Sequence, residues 1–211
     1  MKEPFLDQLK TYLTDGKPHT IRIYGHGASG KSTLAKELVA MLDANQVNLL
    51  KTDAYIIDGG LRQQVRPANA PDQKVTASLP VAHELASLTR DIQALQKGMD
   101  LLTIDCSPWA PQTLLSGSKP ILIVEGMSTA FLDKALFDVS IACYTDSETE
   151  LDRRLGRDIA ERGRVAEFVL QTHQARRQQY ETYLAPTLDD ADIIINQSNN
   201  DFIIERNPYD G

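Results

Sequence analysis

The sequence predicts one α/β domain, with a largely parallel sheet covered by helices on both faces. Three observations carry that expectation. Short apolar segments of strand character alternate with amphipathic helical segments, the pattern of repeated βαβ units. One segment, residues 120–124 (PILIV), is apolar throughout, as a strand buried on both faces must be. A glycine-rich turn joins the first strand segment directly to a helical one.

Taken in order, residues 4–13 read as a short amphipathic helix, and residues 20–24 (TIRIY) as a strand that runs straight into glycines. Residues 31–42 follow as a helix, with Leu34, Leu38, Met41 and Leu42 on one face. Residues 47–51 form the second strand. Residues 57–78 hold Gly59, Gly60, Pro67 and Pro71 among many polar groups and read as a long irregular segment, a kind that is usually functional or mobile. A helical period returns over 80–97 through Val81, Leu85, Leu88, Ile92 and Leu95, which favours His83 as a helix histidine, exposed or hydrogen-bonded, over the alternative of a substrate ligand. Beyond 120–124 come a strand at 138–144, helices over 147–162 and 165–184, and an inner strand at 193–195. A further edge strand at 202–205 is an option.

A length of 211 residues fits a single domain, 1–211, large enough to bury a core. Apolar content of 42% and charged content of 24% are globular values. A net charge of −7 argues against a nucleic-acid or anionic-membrane partner. Cys106 and Cys143 are far apart in sequence and suit neither a disulfide framework nor a zinc site, which fits a reducing cytoplasm. The first residues, with Lys2, Glu3, Asp7 and Lys10, lack the apolar core of a signal peptide, and no run approaches the roughly 20 apolar residues of a membrane span. Oligomeric state is left open, a homo-oligomer included.

The strongest motif is Gly25-His26-Gly27-Ala28-Ser29-Gly30-Lys31-Ser32, followed by Thr33: a G-x-x-x-x-G-K-S string in the strand–loop–helix setting that it needs. Its glycines allow a tight turn whose N–H groups point inward as an anion nest, reinforced by the positive end of the next helix. Lys31 is expected to reach the β- and γ-phosphates of a nucleotide, and Ser32 to offer its hydroxyl to Mg²⁺. Asp53 closes the second strand, where α/β sheets bind ligands. An acid there takes a proton from an attacking hydroxyl or holds Mg²⁺ through water, unless it merely caps a turn. Glu125 closes the apolar strand at the place of a Walker-B carboxylate, facing Mg²⁺ or its water shell; the alternative is an ordinary solvated acid. Arg153, Arg154, Arg157, Arg162 and Arg164 put five arginines within twelve residues. Such a group stabilises the charge that spreads over a transferring phosphoryl group. The competing reading is a solvated helix face with Asp158 paired to Arg154 and Arg162 at i±4.

These segments together resemble the uridine kinase/phosphoribulokinase family. GHGASGKST at 25–33 is similar to the family's P-loop, and Thr52-Asp53-Ala54-Tyr55 to its D-x-x-Y-type segment. ILIVEGM at 121–127 resembles its strand ending in E-G, and residues 154–164 resemble its R-x-x-R-D-x-x-x-R-G-R lid. Tyr183 to Thr187 with Ala191 to Ile195 resembles its C-terminal P-T…A-D-x-I-I stretch. The resemblance implies a P-loop NTPase three-layer sandwich with a five-stranded sheet of order 2-3-1-4-5, a helical lid at about 147–164 and a substrate-binding insert at about 55–110. It implies ATP and Mg²⁺, and transfer of the γ-phosphoryl group to a hydroxyl of a small molecule. Asp53 is then the base, with Lys31 and Arg157 as catalytic partners; Ser32, Glu125 and Asp53 serve the metal. Gly25, Gly27, Ala28, Ser29, Gly30, Lys31, Ser32, Thr33, Arg154 and Arg162 serve the nucleotide.

The substrate-selecting stretch departs from that pattern. The family's F-D-H-P-x-A-F-D, whose first Asp holds a ribose diol, is Ala77-Ser78-Leu79-Pro80-Val81-Ala82-His83-Glu84 here. Ser78 stands where that Asp would be, while Pro80, Ala82 and Glu84 match. The base-reading Y-D-x-x-x-H-x-R stretch is replaced by Asp105-Cys106-Ser107-Pro108-Trp109, whose tryptophan either stacks on a substrate ring or packs. Uridine is therefore expected to be a poor acceptor. A sugar, a sugar phosphate or pantothenate is the same-class alternative. An NTP-binding regulator without transfer activity, or a nucleotide-dependent assembly protein, is the alternative of a different class.

Overall fold

A computed structural model describes residues 2–67, 73–107 and 110–208. Helix α1 (Lys2–Leu13) precedes strand β1 (His19–Tyr24), helix α2 (Lys31–Ala40) and strand β2 (Val47–Lys51). A short helix α3 (Gly59–Arg62) and a longer α4 (Leu85–Gln96) lead to a two-stranded ribbon, β3 (Leu101–Leu102) and β4 (Leu114–Leu115). Strands β5 (Ile121–Glu125) and β6 (Val139–Tyr144) follow, then helices α5 (Ser147–Ala160) and α6 (Ala166–Gln179), and strands β7 (Ile193–Asn196) and β8 (Ile203–Arg206).

The main sheet has the order β2-β5-β1-β6-β7-β8. The first five of these pair in parallel, and taken in chain order they stand 2-3-1-4-5. The sheet has six strands rather than five, because β8 adds antiparallel to β7. Asn199 and Asn200, both in left-handed backbone (φ 55° and 61°), turn the chain back there, a conformation that asparagine tolerates better than most residues.

Successive residues of each strand face opposite sides. Ile121 and Ile123 of β5 join Ile21, Ile23, Val139 and Ile141 under α1 and α2, which contribute Phe5, Leu9, Leu34 and Leu38. Leu122 and Val124 face the other way, with Leu50, onto Leu88, Ile92 and Leu95 of α4. The uninterrupted apolar run at 120–124 thus reflects a strand with core on both faces. Among the described residues no helix is long and apolar enough to cross a membrane.

The structure differs from the sequence reading in three places. The helix expected over 80–97 starts at Leu85: Pro80–Ala82 is a single 3₁₀ turn, and His83 is extended (φ −133°, ψ 144°). Val81, expected on the apolar face, is accordingly exposed. The irregular stretch 57–78 contains α3, capped by the Asp58 carboxylate, which accepts from Gly60 N–H. The helix expected to reach 184 leaves α-geometry after Gln179, continuing as a π turn (Tyr180–Leu184) and a 3₁₀ turn (Ala185–Asp190). Pro186 has no N–H to carry an α-helical ladder onward.

Candidate active site

Strands β2, β5 and β1 lie side by side, and their carboxyl ends deliver the three sequence motifs to one place. After β1 the loop 25–30 turns sharply. Gly25 (φ 150°) packs against Cys143 O and Ser29 Oγ so closely that a Cβ would overlap both. Gly30 (φ 89°) packs the same way against the Gln197 side chain, and Ala28 also has positive φ (67°). Gly30 is the N-cap of α2 without a side-chain cap, so the first-turn amides face the cleft unblocked. His26 anchors the loop from behind. Its Nε2 accepts from Thr145 N–H at 2.9 Å, so its Nδ1 carries the proton and donates to Gly27 O at 2.9 Å. Burial pushes this imidazole down to about 3, which keeps it neutral. Lys31 folds over the loop, its Nζ donating to His26 O at 3.3 Å.

The Ser32 hydroxyl donates to Glu125 Oε1 at 2.9 Å, which joins the loop to the end of β5. Glu125 is buried, and burial raises its carboxyl above the ordinary value, against the opposing pull of Lys31 and the Ser32 hydrogen bond. It is not a solvated strand-end acid. Thr52 N–H donates to Glu125 O at 2.8 Å and so fixes the end of β2 beside that of β5. Asp53 comes next, the first residue of a 3₁₀ turn, and its side chain is exposed to the cleft. Among the described residues its carboxylate accepts no hydrogen bond and forms no ion pair, so it does not cap that turn.

The arginines of α5 and of the turn after it form neither a solvated face nor a loose cluster. Asp158, 1% exposed, is their hub: Arg157 donates to its Oδ1 from Nε and Nη2 at 3.0 and 2.8 Å. Arg154, Arg162 and Arg164 approach it at 3.8, 3.6 and 3.6 Å. Burial works to raise the Asp158 carboxyl, but these guanidinium groups outweigh it and hold it below its ordinary value. The two i±4 pairs foreseen from the sequence exist, within an array in which one buried acid serves one buried and three half-buried cations. Arg153 points elsewhere, donating to Gln197 O at 2.7 Å and Ala28 O at 3.3 Å.

All of this lines one cleft of about 970 Å³. Gly27, Ala28, Gly30, Lys31, Ser32, Thr33, Asp53, Glu125, Arg154, Arg157 and Arg162 line it; Gly25 and Ser29 stand behind it and shape the loop. Ten Lys and Arg side chains and six Asp and Glu side chains face this space in a chain of net charge −7. Ser78 lines the cleft, whereas Glu84 is exposed outside it at the N-cap of α4. Cys106 lines the cleft; Pro108 and Trp109 lie outside the described residues.

Sequence reasoning missed Arg62, Arg176, Lys51 and Gln197, which line the cleft from segments without a motif. His83 is hydrogen-bonded, as one expectation had it, but it is not on a helix. That ring is buried, with Nε2 donating to Ala77 O at 2.8 Å and Nδ1 meeting Ser128 Oγ at 2.9 Å. It therefore ties the 77–83 wall to the turn after β5. No local signal marked this: Pro80 stands at the first position of its turn, where proline suits a helix equally well.

A mainly parallel sheet with a P-loop after its first strand, and acids at the ends of the adjoining β5 and of β2 beyond it, defines a P-loop kinase. The model of the Phosphoribulokinase / Uridine kinase family matches residues 20–203, and the chain belongs to that family. It is 34% identical to a uridine kinase of Tolumonas auensis over 187 residues, covering 83% of this chain and 85% of the relative. It is 28% identical to uridine-cytidine kinase B of Dictyostelium discoideum over 189 residues, 84% of this chain and 74% of the relative. Among solved structures, phosphoribulokinase from Rhodobacter spheroides superposes with a TM-score of 0.62 at 19% identity, covering 85% of this chain and 70% of that one. The protein is thus a phosphotransferase of small metabolites with a hydroxyl group as acceptor.

Proposed function

We propose that the protein is an ATP- and Mg²⁺-dependent cytoplasmic kinase, uridine kinase-like in its chemistry, that moves the γ-phosphoryl group onto a hydroxyl of a small metabolite. The observation that carries this reading is the convergence of three groups in one cleft: the open amides of the P-loop, the Ser32–Glu125 pair, and Asp53 with its carboxylate unpartnered among the described residues. The donor set fits Mg²⁺. One hydroxyl and one or two carboxylates, completed by phosphate oxygens and water, are its usual ligands. Ser32 and Glu125 would hold the ion, which supplies charge neutralisation at the phosphates.

In the transfer, the acceptor oxygen forms its bond to the γ-phosphorus as the bond from that phosphorus to ADP breaks. The hydroxyl proton passes to the Asp53 carboxylate, and ADP leaves. Lys31, Arg154, Arg157 and Arg162 line the same cleft and would stabilise the negative charge that spreads over the transferring oxygens. Arg157 is held by two hydrogen bonds to Asp158, the kind of fixed fork that a lysine cannot supply.

The acceptor is the finer question. Relatives bear the name uridine kinase, yet Ser78, neutral and short, lines the wall where a diol-binding acid would be expected. A non-nucleoside hydroxyl compound is therefore favoured over uridine. A nucleotide-binding regulator would have no use for an acid placed like Asp53. The test is ADP release at saturating Mg·ATP over a panel of nucleosides, sugars, sugar phosphates and pantothenate, with wild type and Asp53→Asn. One acceptor should accelerate release, and the variant should lose about 10²–10⁴-fold of that rate while still binding ATP. Release indifferent to every acceptor would instead point to the regulator.

A further inference from the structure

Beyond the P-loop, the cleft carries positive charge that phosphoryl transfer does not account for. Arg62, at the end of α3, and Arg176, on α6, both line the cleft with Ser78, and neither belongs to the P-loop or to the arginine array of α5. Arg62 is held by backbone alone: Nε donates to Ile57 O at 2.7 Å and Nη1 to Val75 O at 3.2 Å. Its acidic neighbour Asp58 spends its Oδ1 on the N–H groups of Gly60 and Leu61. Arg176 forms no ion pair among the described residues, and its buried Nε has no hydrogen-bond partner among them. Burial, with Arg154 and Arg164 nearby, pushes this guanidinium down to about 10.

Lys74 does not itself line the cleft but stands beside this group, against Phe168. Its ammonium is pushed down by burial and then by Arg176, Arg62 and Arg164, so the four cations feel one another. Lys74 and Arg164 lie over the same Phe168 ring, at 5.8 and 5.5 Å from its centroid. The segment is not loose: Gln179 accepts from Thr76 N–H at 2.9 Å and donates to Lys74 O at 2.9 Å. Among the described residues the one acid in contact with these four is Asp158, 3.6 Å from Arg164 and already shared by Arg154, Arg157 and Arg162. Half-buried like charges repel and lose solvation, a cost that a bound anion removes.

We propose that the acceptor is itself an anion: its non-reacting end carries a phosphate or a carboxylate, held by Arg62 and Arg176 with Lys74 and Arg164 beside them, while its hydroxyl faces Asp53. The inference rests on the kinase reading above and gives it a substrate class. Both guanidinium groups are rigid forks suited to two oxygens of one anionic group. A neutral Ser78 in this wall removes the acid that would have repelled such a group.

The experiment has two arms. In the first, kcat/KM is measured for matched pairs of acceptors: sugars with and without a phosphate, and hydroxy acids against the corresponding alcohols, the two pairs separating phosphate from carboxylate. The anionic member should be preferred. Arg176→Gln should lower its kcat/KM by about tenfold to hundredfold while leaving the KM for ATP unchanged. Arg62→Gln should act likewise, and Arg176→Gln is the control for folding, because that side chain has no hydrogen bond to lose among the described residues. In the second arm, inorganic phosphate is titrated into wild type saturated with Mg²⁺ and a non-hydrolysable ATP analogue, with the melting temperature as readout. Wild type should be stabilised and Arg176→Gln much less. Preference for neutral acceptors, an equal loss of ATP affinity in both variants, or phosphate stabilisation that is identical in Arg176→Gln would overturn the proposal. If no acceptor is phosphorylated yet phosphate still stabilises through Arg176, the anion site stands and the kinase reading fails.

Discussion

The two walls of the cleft are built by different means. The donor wall is a continuous piece of chain set into the sheet. Loop 25–30 is wedged against Cys143 and Gln197, rooted through His26 to Thr145, and joined through Ser32 to Glu125. The acceptor wall is assembled from segments distant in sequence by side-chain bonds: Gln179 to 74–76, His83 to Ala77 and Ser128, and Arg62 to Ile57 and Val75. The first construction fixes backbone N–H groups in space, which any nucleotide can use. The second fixes side chains whose identity is free to change without disturbing the sheet. Damage to the donor wall should therefore cost turnover with every acceptor, and damage to the acceptor wall should cost choice of acceptor.

The hardest test of that division is Lys31→Ala. It removes a preorganised cation at the transferring phosphate and leaves the loop's glycines in place. Turnover should fall about 10²–10³-fold, by the same factor for every acceptor. A loss that varied strongly from one acceptor to the next would mean that the walls are not independent.

The same division decides what could be read from the sequence. The P-loop was legible because its chemistry needs particular backbone angles in adjacent residues, and eight consecutive letters state them. Glu125 and Asp53 were legible because each closes a strand, and the five parallel strands take the order that the family resemblance implied. Arg62 and Arg176 were not legible. Their place in the cleft depends on how α3 and α6 dock, and nothing local distinguishes them from surface arginines. The array around Asp158 was half legible: the i±4 spacing gives its pairs with Arg154 and Arg162, whereas the burial of that carboxylate follows from packing. The helix at 80–97 was overrun because its apolar period continues through Val81, while the chain is extended at His83, whose ring is held by Ala77 and Ser128.

Glu125→Gln sharpens the comparison by separating stability from activity. The carboxyl of Glu125 is raised by burial above its ordinary value of 4.5. The unfolded chain therefore releases this proton at lower pH than the folded one. The resulting destabilisation is absent below the unfolded value, grows as pH rises through the window between the two, and is complete above the folded value. At pH 7 the amide removes it, so the ligand-free melting temperature should rise. Turnover should fall by about 10–100-fold with all acceptors, because the partner of Ser32 loses its charge. A variant that melts lower than wild type would show that the charge of Glu125 stabilises the free protein through Lys31.

The smallest expected effect lies in the acceptor wall, at His83. Its ring is buried, and burial pushes it down to about 4 from an ordinary 6.5. Between those values the unfolded chain binds a proton that the folded chain does not, so this residue makes stability rise with pH across the window. Glutamine cannot take that proton, yet it can replace part of the bonding to Ala77 and Ser128. Near pH 7.5 the His83→Gln variant should be less stable than wild type by about 1 kcal/mol, the value of a hydrogen bond imperfectly replaced. Towards pH 5 that gap in urea midpoints should narrow, because wild type now meets the cost of keeping the ring neutral. His26, pushed down to about 3, is present in both proteins and cancels in the difference. The kinetic consequence should be confined to one wall. KM for the acceptor should rise by about fivefold, the equivalent of the same 1 kcal/mol, while KM for ATP stays fixed. An equal rise in both would mean that the Ala77–His83–Ser128 link reaches through Thr52 into the donor wall, and that the two walls move as one.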